Sequence, residues 1–327
     1  MRPLFHPALV NGRFGDPALY VETLFESAAV MFDLGDIGAL APRKVQRVGH
    51  VFVSHAHIDH FVGFDRMLRL LVGREKTLQL YGPSGFAARV QHKLQGYQWN
   101  LAELYRSDLV VVVHELDAAG AIRATRFRLK NAFGPEEIGV VRSAERILQR
   151  APTFHVSAAV LEHRTPCLGF VLQEQTHINV WKTRLTARGL PVGPWLTALK
   201  RAVAENRPDE HLVRLDAARS IPLRDLRDVL TITPGQKIGY ITDVADTPAN
   251  RRAIADLVRG ADILFIEAAF AKSDAALAAE RAHLTTEAAG AIAREAKVRR
   301  VEPFHFSPRY AGEESRMLAE VSAAFTG

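Results

Sequence analysis

Residues 51–64 read VFVSHAHIDHFVGF. The apolar residues at the start favour a β-strand, and the apolar residues at the end favour a helix. Between them lie four side chains of the kind that bind metals, His55, His57, Asp59 and His60. Strand alternation sends His55 and His57 to the same side, and the turn brings Asp59 and His60 toward them. The stretch therefore predicts a strand and a helix joined by a loop that carries a polar cluster.

This cluster predicts a metal site. A lone histidine is usually structural, but imidazole and carboxylate groups together are the ligands that zinc prefers when no thiolate is present. Four such groups on one loop do not fit one tetrahedral ion without strain. We therefore expect two adjacent divalent ions, with further ligands from other strand ends.

Three further ligand candidates stand beside predicted strands: His163, Asp243 and His305. Asp246 is an alternative to Asp243, because both lie in ITDVADT at 241–247. Asp243 falls at the end of the strand, whereas Asp246 suits the cap of a helix that begins near Pro248. The sequence thus favours Asp243.

Composition indicates a globular enzyme-sized protein. The 327 residues are 48% hydrophobic and 24% charged, with a formal net charge of +6. No apolar run of membrane-spanning length and no secretory signal pattern occurs, so we expect a cytoplasmic protein without a membrane partner. The one cysteine excludes an internal disulfide and a thiolate metal cluster. The basic charge favours polyanionic partners only mildly.

Periodicity predicts strands and helices along most of the chain. The predicted strands cover 29–34, 48–54, 77–81, 109–116, 122–133, 168–173, 237–242, 263–267 and 300–305. The predicted helices cover 59–73, 84–96, 248–259, 273–282, 285–296 and 310–325. Meandering strands followed by helix–strand alternation favour stacked sheets flanked by helices. We therefore predict an α/β fold, a four-layered αββα sandwich formed by one domain over residues 1–327.

Residues 174–222 interrupt this pattern with many Arg and Lys residues, Gly and Pro spacing, and no continuous strand signal. We predict an inserted basic arm, with an ordinary surface subdomain as the alternative.

The spacing His-x-His-x-Asp-His, followed by His163, Asp243 and His305, resembles the metallo-β-lactamase superfamily of binuclear hydrolases. Three stretches are more narrowly similar to the ribonuclease Z family of tRNA 3′-processing endonucleases. They are EHRTPCLGF (162–170), GLPVGPWLTALK (189–200) and the segment 282–310, which ends in HFSPRY. The resemblance covers nearly the whole chain from Ala29 onward.

The resemblance implies roles for individual residues. One ion is expected on His55, His57 and His163, the other on Asp59, His60 and His305, with Asp243 bridging both. The ions are expected to be zinc, with manganese or iron as alternatives.

Two residues are candidates for acid–base roles. Asp59 could accept a proton from the attacking water or orient that water, and the resemblance implies that His283 protonates the leaving 3′-oxygen. Glu267 could orient His283 or could merely satisfy backbone donors. Arg309 and Tyr310 could contact the scissile phosphate, but Arg309 could instead pair with Glu313 or Glu314.

The arm bears on the substrate. Gly193 and Pro194 match the family motif that grips tRNA, and its phosphate-binding charge would come from Lys182, Arg184, Arg188, Lys200, Arg201 and Arg207. Precursor tRNA is therefore the expected partner, and a homodimer is the expected assembly.

The sequence also departs from the family. MFDLGDIGAL (31–40) stands where a Gly-Glu-Gly-Thr-Gln element is usual, the Gly-Thr-Gly opening is missing, and residues 1–28 match no motif. A small-molecule phosphodiesterase, or an ester or lactone hydrolase of the same fold, is thus the alternative function. A catalytically silent RNA-binding protein is a third class, but it would be expected to have lost ligands.

Overall fold

The computed structural model describes residues 4–24 and 26–327. They form two compact units: one contains the chain up to Gln173 and from Gln236 onward, and the other contains Glu174–Gly235. No helix among the described residues is both long enough and apolar enough to cross a membrane.

The first sheet of the larger unit has eight strands whose spatial order is their order in the chain. They are β1 (Phe5–Leu9), β2 (Leu19–Thr23), β3 (Ala29–Phe32), β4 (Val48–Phe52), β5 (Lys76–Pro83), β6 (Leu109–Leu116), β7 (Ala121–Arg128) and β8 (Pro135–Arg142). β3 to β6 pair in parallel, and the outer strands pair antiparallel.

The second sheet has six strands. In chain order they are β9 (Ile147–Arg150), β10 (Phe154–Glu162), β11 (Pro166–Glu174) and, beyond the smaller unit, β16 (Lys237–Ile241), β17 (Ile263–Glu267) and β18 (Val301–Phe304). β16, β17 and β18 are parallel, so their carboxyl ends meet at one edge.

Aromatic rings pack between the two sheets. Phe32 and Phe52 of the first sheet contact Phe170 and Tyr240 of the second, with ring centroids 5.4–5.7 Å apart. All four side chains are fully buried. This aromatic layer is the central core of the sandwich.

Helices cover the outer face of each sheet. On the first sheet lie α1 (Pro42–Arg47), α2 (Ile58–Phe61), α3 (Phe64–Leu71) and α4 (Phe86–Gln95). On the second lie α7 (Pro248–Val258), α8 (Ala275–Arg281), α9 (Thr286–Glu295) and α10 (Glu314–Thr326). Short 3₁₀ turns occur at Ala102–Leu104, Leu129–Asn131, Lys272–Asp274 and Pro308–Tyr310. The predicted αββα layering is confirmed.

The helix predicted over 59–73 is wrong in one respect, because it is divided into α2 and α3. Gly63 lies at the break, and a Cβ on Gly63 would be 2.1 Å from the carbonyl oxygen of Gly35. This close backbone approach explains why residue 63 is a glycine, and it holds the start of α3 against Gly35 in the loop that follows β3.

The smaller unit, Glu174–Gly235, has a core of its own. It contains β12 (His177–Val180), α5 (Lys182–Ala187), α6 (Trp195–Ala204), β13 (Leu212–Arg214), β14 (Ser220–Pro222), a 3₁₀ helix at Leu223–Val229 and β15 (Leu230–Thr233). Trp195, Leu199 and Leu226 are buried in this core. The segment 174–222 is part of this unit, which continues to Gly235 because β15 pairs with β12.

Candidate metal centre

The seven predicted ligands all follow strands of the two sheets. His55, His57, Asp59 and His60 come after β4, His163 after β10, Asp243 after β16 and His305 after β18. The structure brings them together in two groups, His55–His57–His163–Asp243 and Asp59–His60–His305. Within each group the ligand atoms lie within 4.8 Å of one another.

Asp243 joins the two groups. Its Oδ2 atom lies 3.6 Å from His55 Nε2, 3.5 Å from His163 Nε2 and 3.3 Å from His60 Nε2. Its Oδ1 atom lies 2.9 Å from His305 Nδ1. Ligand atoms on a tetrahedral zinc ion with bonds of about 2.0–2.1 Å are separated by roughly 3.3 Å. The observed Oδ2 distances therefore suit ligands that share an ion.

Two buried imidazole atoms support this interpretation, because the Nε2 atoms of His55 and His60 have no hydrogen-bond partner among the residues that the structure describes. A buried polar atom without a partner is costly unless a bound ion or water satisfies it. The donor set of imidazole and carboxylate groups fits divalent metal ions.

Two residues at the point where the metal-ligand groups meet have strained backbone conformations. Asp243 has φ +28° and His305 has φ +58°, values that are rare for residues other than glycine. Such conformations persist where the surrounding structure holds them, and they cluster at functional sites.

Asp33 is a residue that the sequence analysis missed. Its carboxylate is completely buried and accepts hydrogen bonds from the Ser54 amide (2.6 Å), the Ser54 hydroxyl (2.9 Å) and the Tyr240 hydroxyl (2.9 Å). It also lies 2.9 Å from His60 Nδ1. This contact fixes the His60 ring with Nε2 directed toward Asp243. An Asp directly after the apolar run 29–32 was the available signal.

His163 is oriented in the same manner, because its Nδ1 atom lies 2.8 Å from the carbonyl oxygen of Ala282. The thiol of Cys167 donates to the carbonyl oxygen of Asp243 at 3.2 Å. Both contacts leave the ligand atoms facing the cluster.

The electrostatics of the cluster favour bound positive charge. Burial raises the pKa of Asp243, but His305 and His60 outweigh it and hold that pKa well below its usual range. Burial lowers the pKa of His305, but Asp243 outweighs it and raises the pKa to about 10. Burial and His60 lower the pKa of His55 to about 2, so this imidazole is neutral and ready to bind a metal.

His283 and Glu267 form a pair beside the cluster. His283 Nδ1 lies 3.1 Å from Glu267 Oε2 and 3.2 Å from Oε1, and the carboxylate is completely buried. Glu267 also accepts a hydrogen bond from the Val244 amide at 2.8 Å. It therefore contacts both His283 and a backbone donor, the two partners that the sequence suggested for it. Burial lowers the pKa of His283, but Glu267 outweighs it and raises the pKa.

A cavity of about 530 Å³ adjoins the cluster. Arg309 and Arg281 line it together with His283. Arg309 lies 3.9 Å from Asp274, and the expected alternative of pairing with Glu313 or Glu314 is wrong. Arg281, which the sequence analysis did not select, has no ion-pair partner in the part of the chain that the structure describes. It is therefore available to an anionic ligand.

The rival ligand Asp246 lies outside both groups. It forms an ion pair with Arg251 at 2.5 Å. Its expected role as the cap of α7 is wrong, because the side chain of Thr247 accepts the capping hydrogen bond from the Asn250 amide.

Gly193 and Pro194 lie in the smaller unit, directly before α6. Among the basic residues there, Arg184 and Arg188 bond to Asp228, and Arg207 pairs with Glu205. Lys182, Lys200 and Arg201 are exposed and have no ion-pair partner among the described residues.

Comparison with known proteins extends this description. Residues 32–183 and 224–306 match the β-lactamase superfamily domain. The chain is 35% identical to ribonuclease Z of Deinococcus radiodurans over 295 residues, which cover 88% of this chain and 85% of that protein. It is 30% identical to ribonuclease Z of Bacillus velezensis over 291 residues, which cover 88% and 78%.

Solved structures share the fold. The short form of human tRNase Z superposes with a TM-score of 0.53 at 18% identity, covering 93% of this chain and 91% of that chain. The metallo-β-lactamase fold protein YhfI of Bacillus subtilis superposes with a TM-score of 0.57 at 13% identity, covering 98% and 95%.

Proposed function

The chain belongs to the ribonuclease Z family within the β-lactamase superfamily, and from that premise we propose that it is a metal-dependent endoribonuclease that removes the 3′ trailer of precursor tRNA. The observation that carries the proposal is the meeting of two metal-ligand groups at Asp243, with His283 at their border. A small-molecule hydrolase of the same fold is the alternative that the experiment below must exclude.

The metal assignment is part of the proposal. His55, His57 and His163 would hold one ion, Asp59, His60 and His305 the other, and Asp243 would contact both. Zinc fits the imidazole-rich set and the separations of its ligand atoms, and manganese or iron are the alternatives to be tested. When bound, two such ions lower the pKa of water and offset the negative charge of a phosphodiester.

His283 is proposed to donate a proton to the leaving 3′-oxygen. Its Nδ1 atom is engaged by Glu267, so the proton on Nε2 is the one available to a substrate. Glu267 outweighs burial and raises the pKa of His283, which favours the protonated ring that a general acid requires. Glu267 positions this ring and maintains its charge.

Asp59 is proposed to orient the attacking water. Its side chain is 36% exposed, and it lines the cavity that Arg281 and Arg309 also line. Burial raises the pKa of Asp59, but hydrogen bonds with His305 and His60 outweigh it and lower that pKa. The carboxylate is therefore ionised and can orient the attacking water by accepting a hydrogen bond, and its lowered pKa makes it a weak base.

Arginines would bind the phosphate groups around the cut. Arg309 and Arg281 bring two guanidinium groups to the cavity beside His283. The planar guanidinium matches the geometry of phosphate oxygens and binds them through paired hydrogen bonds. The cavity thus combines a charge that attracts phosphate with a proton donor.

The smaller unit is proposed to bind tRNA. Gly193, Pro194 and the exposed Lys182, Lys200 and Arg201 would contact the RNA backbone, which positions a substrate without reading its sequence. Replacing the three basic residues with alanine should weaken RNA binding and reduce its salt dependence. We also expect a homodimer, which light scattering would measure.

The test uses purified protein supplied with zinc or manganese, a precursor tRNA with a 3′ trailer, and bis(p-nitrophenyl) phosphate. The wild type should remove the trailer, and His55→Ala should not. His92→Ala is the matched control, because His92 is an exposed histidine of α4 outside both ligand groups. Turnover of the small diester without trailer removal would contradict the proposed substrate.

A further inference from the structure

The loop at residues 11–16 is bound to the segment that follows β18. The amide of Phe306 donates to the carbonyl oxygen of Arg13 at 2.8 Å, and the Arg13 guanidinium forms an ion pair with Glu302 at 2.6 Å. The Phe14 ring stands edge-on against the Phe306 ring, with centroids 5.4 Å apart and an interplanar angle of 71°. This loop precedes the span that matches the superfamily domain, which starts at residue 32.

Phe14, Gly15 and Asp16 of this loop line a second cavity, of about 250 Å³, beside the metal-ligand groups. Pockets for drug-sized ligands measure roughly 300–1,000 Å³, so this cavity suits a single ring system. Three phenylalanines line it. Phe270 and Phe306 are buried, whereas Phe14 is only half-buried and keeps part of its ring accessible.

The charges around this cavity differ from those of the larger one. Among the described residues that line it, there is no Lys or Arg, and the carboxylates of Asp16 and Asp59 are present. His283, His305 and Asp59 line both cavities, so the two arginines make the larger cavity the more attractive one for a phosphate. An uncharged aromatic ring, by contrast, can stack on the accessible ring of Phe14.

His283 lines both cavities, and Asp59 and His305 do so as well. A substrate whose phosphate lies in the larger cavity can therefore place a neighbouring base in the smaller one. Under the proposed function, His283 gives its proton to the leaving 3′-oxygen. The base nearest to that oxygen belongs to the nucleotide on the 5′ side of the cut.

We propose that the cavity lined by Phe14, Phe270 and Phe306 binds the base of the nucleotide that carries the leaving 3′-oxygen, by stacking on Phe14. The inference rests on the proposed function, because it needs an RNA substrate. It gives the N-terminal loop a role in positioning the RNA end, in a chain that lacks the Gly-Glu-Gly-Thr-Gln element.

The test pairs protein variants with substrate variants. Trailer removal is measured for the wild type, Phe14→Ala and Phe14→Tyr, on precursor tRNA with either a normal or an abasic nucleotide 5′ of the cut. Stacking on an aromatic side chain is worth about 1–3 kcal/mol per base, so Phe14→Ala should lower kcat/KM about tenfold to a hundredfold on the normal substrate. On the abasic substrate it should have almost no effect, and Phe14→Tyr should retain activity on both.

Equal losses on both substrates would overturn the proposal, because Phe14 would then only hold the β18 segment in place. An unchanged kcat/KM in Phe14→Ala on the normal substrate would also overturn it. So would a loss of kcat/KM in Phe14→Ala that persists with the abasic nucleotide 5′ of the cut and disappears only with the abasic nucleotide 3′ of the cut. If the wild type removes no trailer, the proposed function fails separately. Binding of a short single-stranded RNA to metal-free protein then decides the matter: Phe14→Ala must weaken binding of the normal RNA but not of the abasic RNA.

Discussion

Replacing Asp33 with asparagine should damage both stability and metal binding. Asparagine keeps the size of the side chain but turns one of its two acceptor oxygens into a donating amide nitrogen. In the wild type, Oδ1 accepts from the Ser54 amide, while Oδ2 faces the Ser54 and Tyr240 hydroxyls and His60 Nδ1. The two hydroxyls can rotate to accept a hydrogen bond. His60 must instead move its proton to Nε2, the atom proposed to bind the metal.

The expected magnitudes follow from these contacts. Hydrogen bonds to charged groups are worth about 1.5–3 kcal/mol each, and Asp33→Asn weakens at least two of them in a fully buried place. We expect the free energy of unfolding to fall by about 3–5 kcal/mol. Loss of a residue that orients a metal ligand typically costs 10- to 100-fold in metal affinity.

The assay combines urea unfolding of the metal-free protein with a competitive zinc titration against a chelator. Tyr240→Phe is the matched control, because it removes one donor to Asp33 and leaves the contact with His60 intact. It should cost about 1.5–3 kcal/mol and leave the zinc affinity nearly unchanged. Unchanged unfolding and unchanged zinc affinity in Asp33→Asn would refute this reasoning.

Three further predictions concern the pH profile, packing and metal removal. Burial lowers the pKa of His283 and Glu267 raises it, so Glu267→Gln should lower that pKa and move the alkaline limb of the kcat/KM profile to lower pH. An alkaline limb that does not move would exclude His283 as the general acid. Gly290→Ala should lower the free energy of unfolding by about 1–3 kcal/mol in urea titrations, because its Cβ would lie 2.4 Å from the carbonyl oxygen of Val321; equal stability would show that α10 can shift. Treatment with a chelator should abolish trailer removal and lower the Tm, and added zinc should restore both; activity that persists after verified metal removal would contradict a metal-dependent reaction.

The sequence predicted those features that depend on local pattern. All nine predicted strands have counterparts in the structure. The helix predicted from residue 285 is present as α9, and the side chain of Thr285 caps it by accepting from the Ala288 amide. The strand predicted over 122–133 ends earlier, at Arg128. Gly260 follows the end of α7 with φ +66°, as a helix stop requires.

Other strands escaped prediction for physical reasons. β8 (Pro135–Arg142) is exposed along its whole length, so its sequence shows no alternation between buried apolar and exposed polar residues. β1 and β2 are short, and the Pro and Gly residues between them indicate only loops. The helix predicted from residue 310 begins at Glu314 instead, because Pro308–Tyr310 forms a 3₁₀ turn.

The side chains around the candidate site were the least predictable part. Asp33 acts through Ser54, His60 and Tyr240, and Phe14 lies beside residues almost 300 positions away in the chain. Contacts of this length arise only from the packing of the two sheets and their loops. Ligands that directly follow strands could be found from the sequence, whereas the contacts of Asp33 with His60 and of Phe14 with Phe306 could not.

The most direct test of the binuclear site is the number of metal ions per chain, measured by inductively coupled plasma mass spectrometry after dialysis with zinc. The wild type should hold two ions. Asp243→Ala should hold fewer than one, because Asp243 is the residue proposed to contact both ions. A wild-type value of one or less, or two ions retained in Asp243→Ala, would contradict the proposed joining of the two ligand groups into one catalytic centre.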